Sequence, residues 1–287
     1  MAFNLDDDDS YRRWRDQKLS ARPGDLTELA VEVGDIAALS PAEEDALRRH
    51  VRRCNMALYV ETSRQPNRDD KRAVAALGGR FGLTALDRNH LADDDGITPL
   101  AVASDGARAR YIPYTERPIA WHTDGYYNPP ATGVRGLILH CARPAAQGGE
   151  NKLMDPELLY IRLRDLDPDL IRALSQPQAM TIPGNDDEGM TRPAMTGPVF
   201  FVRDGRLAMR YTARTRSIEW HPEAAAAAQV IRRVLEDGGA DVFVGRLQAG
   251  WGLLCNNVLH TRERFSDDPA RPRLLYRARY HDRIQGT

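Results

Sequence analysis

The stretch Ile119-Ala120-Trp121-His122-Thr123-Asp124-Gly125-Tyr126-Tyr127, with Asn256-Asn257-Val258-Leu259-His260-Thr261-Arg262-Glu263-Arg264-Phe265 far downstream, decides how the rest of the chain is read. In the first, His122 and Asp124 stand two apart in a strand-like run, so both side chains are expected on one face. An imidazole and a carboxylate on a rigid strand make two corners of a metal site. A second neutral imidazole completes a two-histidine, one-carboxylate facial set with three coordination positions left open. His260, at the end of an apolar strand, is the candidate for that third place. An isolated HxD triplet is equally consistent with a surface turn, and the downstream histidine is what gives it weight. Thirteen residues beyond His260 comes Arg273, and four further Arg277, inside PRLLYRARY. With 273, 275 and 277 on one strand face, two guanidiniums are poised to bind carboxylates.

Outward from these blocks, the chain from about Ile97 breaks into short β-like segments separated by Gly, Pro and Asp: ITPLAVA, ARYIPY, IAWHTD, VRGLILHCA, PVFFVR, RLAMRYT, DVFVGRL, WGLLCNNVLH and PRLLYRARYH. This rhythm belongs to a barrel or sandwich. Asp155 to Ala173 reads as a helical insertion between strands. Before residue 97 the pattern is mixed: a helix over SPAEEDALRRHVRRC with Ser40 as cap and Pro41 at its start, the strand MALYVE, and a helix around Asp69 to Leu77. A further helix follows Pro222 and stops at Gly238-Gly239. The acidic run Asp6 to Asp9 reads as a solvated tail. No Gly/Ser linker or break in composition marks a second independent domain.

The charge balance is near neutral, 40 basic against 41 acidic residues, which argues against a nucleic-acid binder working by phosphate neutralisation. No apolar run approaches the roughly 20 residues of a membrane helix. The N-terminal MAFNLDDDDSYRRW has no apolar core of a secretory signal, so a cytoplasmic protein is expected. Cys54, Cys141 and Cys255 are too scattered for a disulfide framework or a zinc signature and read as buried small hydrophobes. Lys18, Lys71 and Lys152 are the only lysines; the other basic residues are arginine. Codon bias explains most of that skew, while a few arginines at the right positions would bind planar anions bidentately.

Taken together, WHTDGYY, VLHTRERF and the terminal RxxxR resemble the iron(II)- and 2-oxoglutarate-dependent dioxygenases of the TauD/TfdA type, from roughly Ala30 to the end of the chain. The resemblance implies a mainly β fold with helices: a double-stranded β-helix, or jelly roll, over 97–287. An N-terminal mixed α/β layer over 1–96 and a helical, lid-like insertion at about 152–220 complete a single catalytic domain of 1–287. It implies His122, Asp124 and His260 as ligands of Fe(II), with 2-oxoglutarate and O2 as cosubstrates, and Arg273 as partner of the distal 2-oxoglutarate carboxylate. Asn151, in the turn Gly148-Gly149-Glu150-Asn151, stands where the family often has a threonine supporting that carboxylate. Arg277 matches a position that reaches the substrate anion or the C1 end of 2-oxoglutarate. The His260-to-Arg273 spacing is about two longer than the family's, so Arg271 is a rival, disfavoured because Pro272 follows it at the end of a turn-like DDPARP loop.

The expected partner is a small polar or anionic molecule, without nucleic acid or membrane; a homo-oligomer is compatible with the sequence. Asp124 argues against a halogenase, which gives up the carboxylate to make room for halide. Two rivals stay open: a non-catalytic jelly-roll binding protein, and a cupin-like metal dioxygenase that does not use 2-oxoglutarate. His140 reads as a packed strand residue and His221 as a residue near a helix cap. His50, His90 and His281 are remote from the metal. Tyr126 and Tyr127 line the substrate pocket or pack in the core, and Arg210, Tyr211 and Arg214 face the site or a strand edge. The acidic Asn185 to Glu188 is a lid contact for a cationic substrate or a solvated loop.

Overall fold

The computed structural model describes residues 2–63, 65, 68–88, 92–187, 190–214 and 218–287. Its contacts fall into two compact units, each assembled from three separate stretches of chain.

One unit comprises 23–119, 134–153 and 243–287. Its centre is a six-stranded sheet in the order Ala30–Val33, Met56–Glu61, Trp251–Cys255, Gly136–Arg143, Leu274–Tyr280 and Thr98–Leu100. Only the first pair is parallel. Alternation along the strands feeds two cores. Ala57, Tyr59, Ile138, Leu254 and Ala278 face the helices Pro41–Cys54 and Asp70–Arg80, meeting Leu47, Val51, Val74 and Leu77. Leu58, Leu137, Leu139, Leu253 and Leu275, from the same strands, share the opposite cluster with Leu153, Phe243 and Val258. These come from a second sheet, in which Asn151–Met154 lies between Phe243–Gly245 and Leu259–Arg262. Of the elements before residue 97, the helices Pro41–Cys54 and Asp70–Arg80 cover one face of this sheet, while the strands Ala30–Val33 and Met56–Glu61 belong to the sheet itself. ARYIPY, expected as a strand, is instead two 3-10 turns at Ala107–Arg110 and Ile112–Tyr114, where Pro113 cannot donate to a ladder. The apolar run WGLLCNNVLH is interrupted after Cys255, where Asn257 takes a left-handed conformation before the strand resumes at Leu259.

The other unit comprises 2–22, 120–133 and the described residues of 154–242. The acidic run is not a tail here. Asp7 caps the helix Asp8–Ser20 by accepting from the Ser10 amide, and Asp8 and Asp9 occupy its positive end. Lys18 of this helix is buried against Asp155, at 2.6 Å, and Glu157. Tyr11 donates to Asp165 at 2.7 Å. The helical insertion is two helices, Pro156–Leu166 and Pro168–Leu174, because Pro168 forces Asp167 out of helical geometry; Asp167 then caps the second. Short strands follow, with Met180–Ile182 between Met195–Gly197 and Glu219–Trp220, before the alanine-rich helix Pro222–Asp237. The acidic segment carries a strand at Asn185–Asp187 paired with Met190–Arg192; Glu188 and His90 lie outside the described residues.

Candidate active site

His122 closes the strand Ile119–His122, and Asp124 follows in the turn beyond it, so the two share a segment but not a single strand face as expected. That turn is tied down on its far side. Thr123 and Ala213 donate their amides to the carbonyls of Tyr211 and Trp121, and the Thr123 hydroxyl accepts from the Tyr211 amide at 3.1 Å. Asp124 is buried. The Nδ1 of His122 sits 2.9 Å from the carbonyl oxygen of Ala120. A carbonyl can only accept, so Nδ1 carries the proton and the neutral ring holds its lone pair on Nε2. Arg210, expected at the site or at an edge, does neither: it is buried and bonds the carbonyl of Tyr126 among others. Arg214 donates to the Tyr126 hydroxyl at 3.2 Å. Tyr126 meets the His122 ring edge to face at 6.5 Å.

His260 belongs to the other unit, on the strand Leu259–Arg262. It repeats the same arrangement, with Nδ1 2.9 Å from the carbonyl of Val258, two residues upstream. Both histidines are therefore held in the tautomer that presents Nε2, the form in which imidazole ligates a metal with its other nitrogen fixed by a carbonyl. An imidazole so held and a buried carboxylate are each donor types that divalent iron accepts. Among the described residues no group of three or more His, Cys, Asp or Glu stands together as a ready metal cluster.

Within the same unit as His260, a small pocket is lined by Gly148, Gly149, Asn151, Arg246, Arg273 and Leu275, among others. Its wall depends on glycine. Gly148 and Gly149 both have positive φ, and a Cβ on Gly148 would overlap the carbonyl oxygen of Arg264. Gly148 pairs with Phe265, and the Arg273 guanidinium lies 4.9 Å from the centre of that ring. Arg273 is 5 % exposed, and its amide donates to Asp267 at 2.9 Å. Burial holds the Arg273 guanidinium below its usual range; Asp267 opposes the shift and Arg246 adds to it. Asn151 donates one amide hydrogen to the carbonyl of Thr261 at 2.7 Å. Arg271 is exposed, whereas Arg277 is half-buried on its strand opposite Leu139 and Thr98 and is not part of the pocket lining. His140 is fully buried and bonded to the Tyr59 hydroxyl, and His221 is the N-cap residue of the helix Pro222–Asp237. The three cysteines are buried thiols. Arg246 was not legible from motif or spacing; its only mark is register, since it follows Gly245, the partner of Asn151.

Residues 21–279 match the family model described as taurine catabolism dioxygenase TauD, TfdA family. A uridine-5'-phosphate dioxygenase from Streptomyces sp is 34% identical over 225 residues, covering 72% of this chain and 78% of that protein. A second protein of that name, from Amycolatopsis sp, is 33% identical over 173 residues, 56% of this chain and 60% of its own. Among solved structures, the non-heme iron oxygenase OrfP in complex with Fe and alpha-ketoglutaric acid superposes with a TM-score of 0.63 at 15% identity, over 86% of this chain and 82% of that one. An asparagine oxygenase in complex with Fe(II), hydroxyasparagine and succinate gives 0.60 at 12% identity, over 88% and 93%. At such identities the structural likeness speaks for the fold.

Proposed function

The chain belongs to the TauD/TfdA family of dioxygenases, and from that premise we propose that it hydroxylates a C–H bond of a small anionic molecule, a nucleoside 5'-phosphate, using Fe(II), 2-oxoglutarate and O2. The balance is one substrate C–H, one 2-oxoglutarate and one O2 giving the alcohol, succinate and CO2. The fold is the family's, mainly β with helices around a jelly-roll core. Residues 1–287 serve in this reading as one catalytic domain.

The observation that carries the reading is that His122 and His260 each have Nδ1 2.9 Å from a carbonyl two residues upstream, which leaves Nε2 as the nitrogen suited to a metal. His122 and His260, with the Asp124 carboxylate, supply the ligand set; when bound, iron with 2-oxoglutarate and O2 supplies the oxidising chemistry. Arg273 binds the remote carboxylate of 2-oxoglutarate, and its burial strengthens that pairing by excluding water. Asn151, one amide hydrogen spent on Thr261, supports the pocket wall and keeps its second for the same carboxylate. Arg277 remains the candidate for an anionic group on substrate. The nucleotide class rests on the relative that is 34% identical and is named for uridine 5'-phosphate.

The test is succinate release with Fe(II) and 2-oxoglutarate, without and with uridine 5'-phosphate, other nucleotides, asparagine and arginine. Uridine 5'-phosphate or a close nucleotide is expected to stimulate release. Stimulation by an amino acid alone would overturn the nucleotide class while keeping the reaction. His122→Ala and His260→Ala are each expected to lower release by at least about a thousandfold, as loss of an essential metal does; retention in both would remove the ligand assignment. A non-catalytic binder would release no succinate, and a dioxygenase of another kind would ignore 2-oxoglutarate.

A further inference from the structure

We propose that Arg246 is a second carboxylate-binding residue of the Arg273 pocket, so that the distal end of the cosubstrate is held between two guanidiniums. The inference rests on reading this pocket as the 2-oxoglutarate pocket. Three observations carry it.

First, backbone pairing delivers both arginines to one small cavity. Arg246 follows Gly245, which pairs with Asn151, while Arg273 precedes the strand Leu274–Tyr280; both line the pocket with Asn151 and the Gly148-Gly149 turn. Second, Arg246 is oriented but not used up. Its Nη2 donates to the carbonyl of Ala145, itself in the pocket wall, while its buried Nε has no hydrogen-bond partner among the described residues. A guanidinium presents five donors, and a buried donor left without an acceptor is costly. Third, the charges do not balance inside the wall. Arg246 adds to the lowering of the Arg273 guanidinium, Asp267, which accepts the Arg273 amide, opposes it, and no acidic residue is among those lining the pocket. Two guanidiniums in a wall with no carboxylate of its own suit an anionic ligand, and a carboxylate offers the lone pairs to meet both. A neutral hydroxyl at this place would bind any acceptor; a second arginine selects for charge.

The proposal predicts a change in ligand preference, not only in affinity. Binding of 2-oxoglutarate is compared with 2-oxovalerate, which keeps the keto acid end and the chain length but lacks the remote carboxylate. Calorimetric titrations of the 287-residue chain with Fe(II), without oxygen, give both constants. Arg246→Gln is expected to weaken 2-oxoglutarate by about ten- to a hundredfold, the range for a charged hydrogen bond, and to leave 2-oxovalerate within about twofold. Arg246→Lys keeps the charge without the fork and is expected to lie between. Equal weakening of both ligands, or of neither, by Arg246→Gln would overturn the proposal. If Arg246→Gln fails to fold by its melting profile, Arg246→Lys decides, with unchanged preference as the overturning result. Arg273→Gln separates the two levels of argument. If it abolishes the preference while Arg246→Gln spares it, this inference alone falls; if neither variant alters the preference, the cosubstrate reading of the pocket falls as well.

Discussion

Arg210 places all five of its N–H donors on backbone carbonyls, those of Tyr126, Met180, Met195, Gly197 and Pro198. Burial pushes its guanidinium down to about 10, still charged at neutral pH. Arg262 bonds the carbonyls of Ile112, Pro113, Thr115 and Arg117 through its two terminal nitrogens. These residues hold irregular backbone together, and Arg210 fixes the loop just beyond Asp124. Arg210→Met is expected to lower unfolding free energy by about 3 kcal/mol or more, because several buried carbonyls lose their donor at once. Arg210→Lys should recover only part, since an ammonium has three donors and no fork. Denaturant titration of the two variants checks both, and near-equal stability of all three proteins would remove the argument. The skew toward arginine was legible in composition, but its use was not. The acceptors of Arg210 come from four places spread over some seventy residues, which no local pattern connects.

Local elements were legible where their signals are local. The helix Pro41–Cys54 has the full capping box: Ser40 accepts from the Glu43 amide, and Glu43 accepts from the Ser40 amide and also, at 2.7 Å, from the Gly34 amide. These amides hold the Glu43 carboxyl below its ordinary range. A depressed carboxyl contributes stability that is complete above the ordinary value near pH 4 and is lost as pH falls through the lower, folded value. Glu43→Gln is therefore expected to flatten that part of the acid melting profile, and Glu43→Ala to lower stability by about 1 kcal/mol at neutral pH. Melting curves between pH 6 and pH 2.5 read both; an unchanged acid limb in Glu43→Gln would contradict the assignment. The helix Asp8–Ser20 has no such local signature, because what makes it worth forming, the pairing of Lys18 with Asp155 and Glu157, arrives from far downstream. Of the site, the HxD segment, His260 and the Gly148-Gly149 turn were visible as motifs. Arg246 was invisible because only the pairing of Gly245 with Asn151 sets its place.

Over the whole molecule, the six-stranded sheet is out of sequence order. Trp251–Cys255 lies between Met56–Glu61 and Gly136–Arg143, and Leu274–Tyr280 between Gly136–Arg143 and Thr98–Leu100. A fragment of residues 1–153 keeps four of those strands but lacks the two that join them. It is expected to be unfolded or aggregated, as read by circular dichroism and proteolysis; a protected, monomeric fragment would refute this. Co-expression with 154–287 is the complementary arm, and recovery of a soluble complex is expected if the missing strands are the cause. The same ordering has a consequence for synthesis. Met56–Glu61 leaves the ribosome about 190 residues before its neighbour Trp251–Cys255, a delay of roughly 10–40 s at ordinary elongation rates. Throughout that interval an apolar strand edge has no partner on that side, which makes the nascent chain a natural client for a chaperone and makes yield in a host depend on translation speed and temperature as much as on final stability.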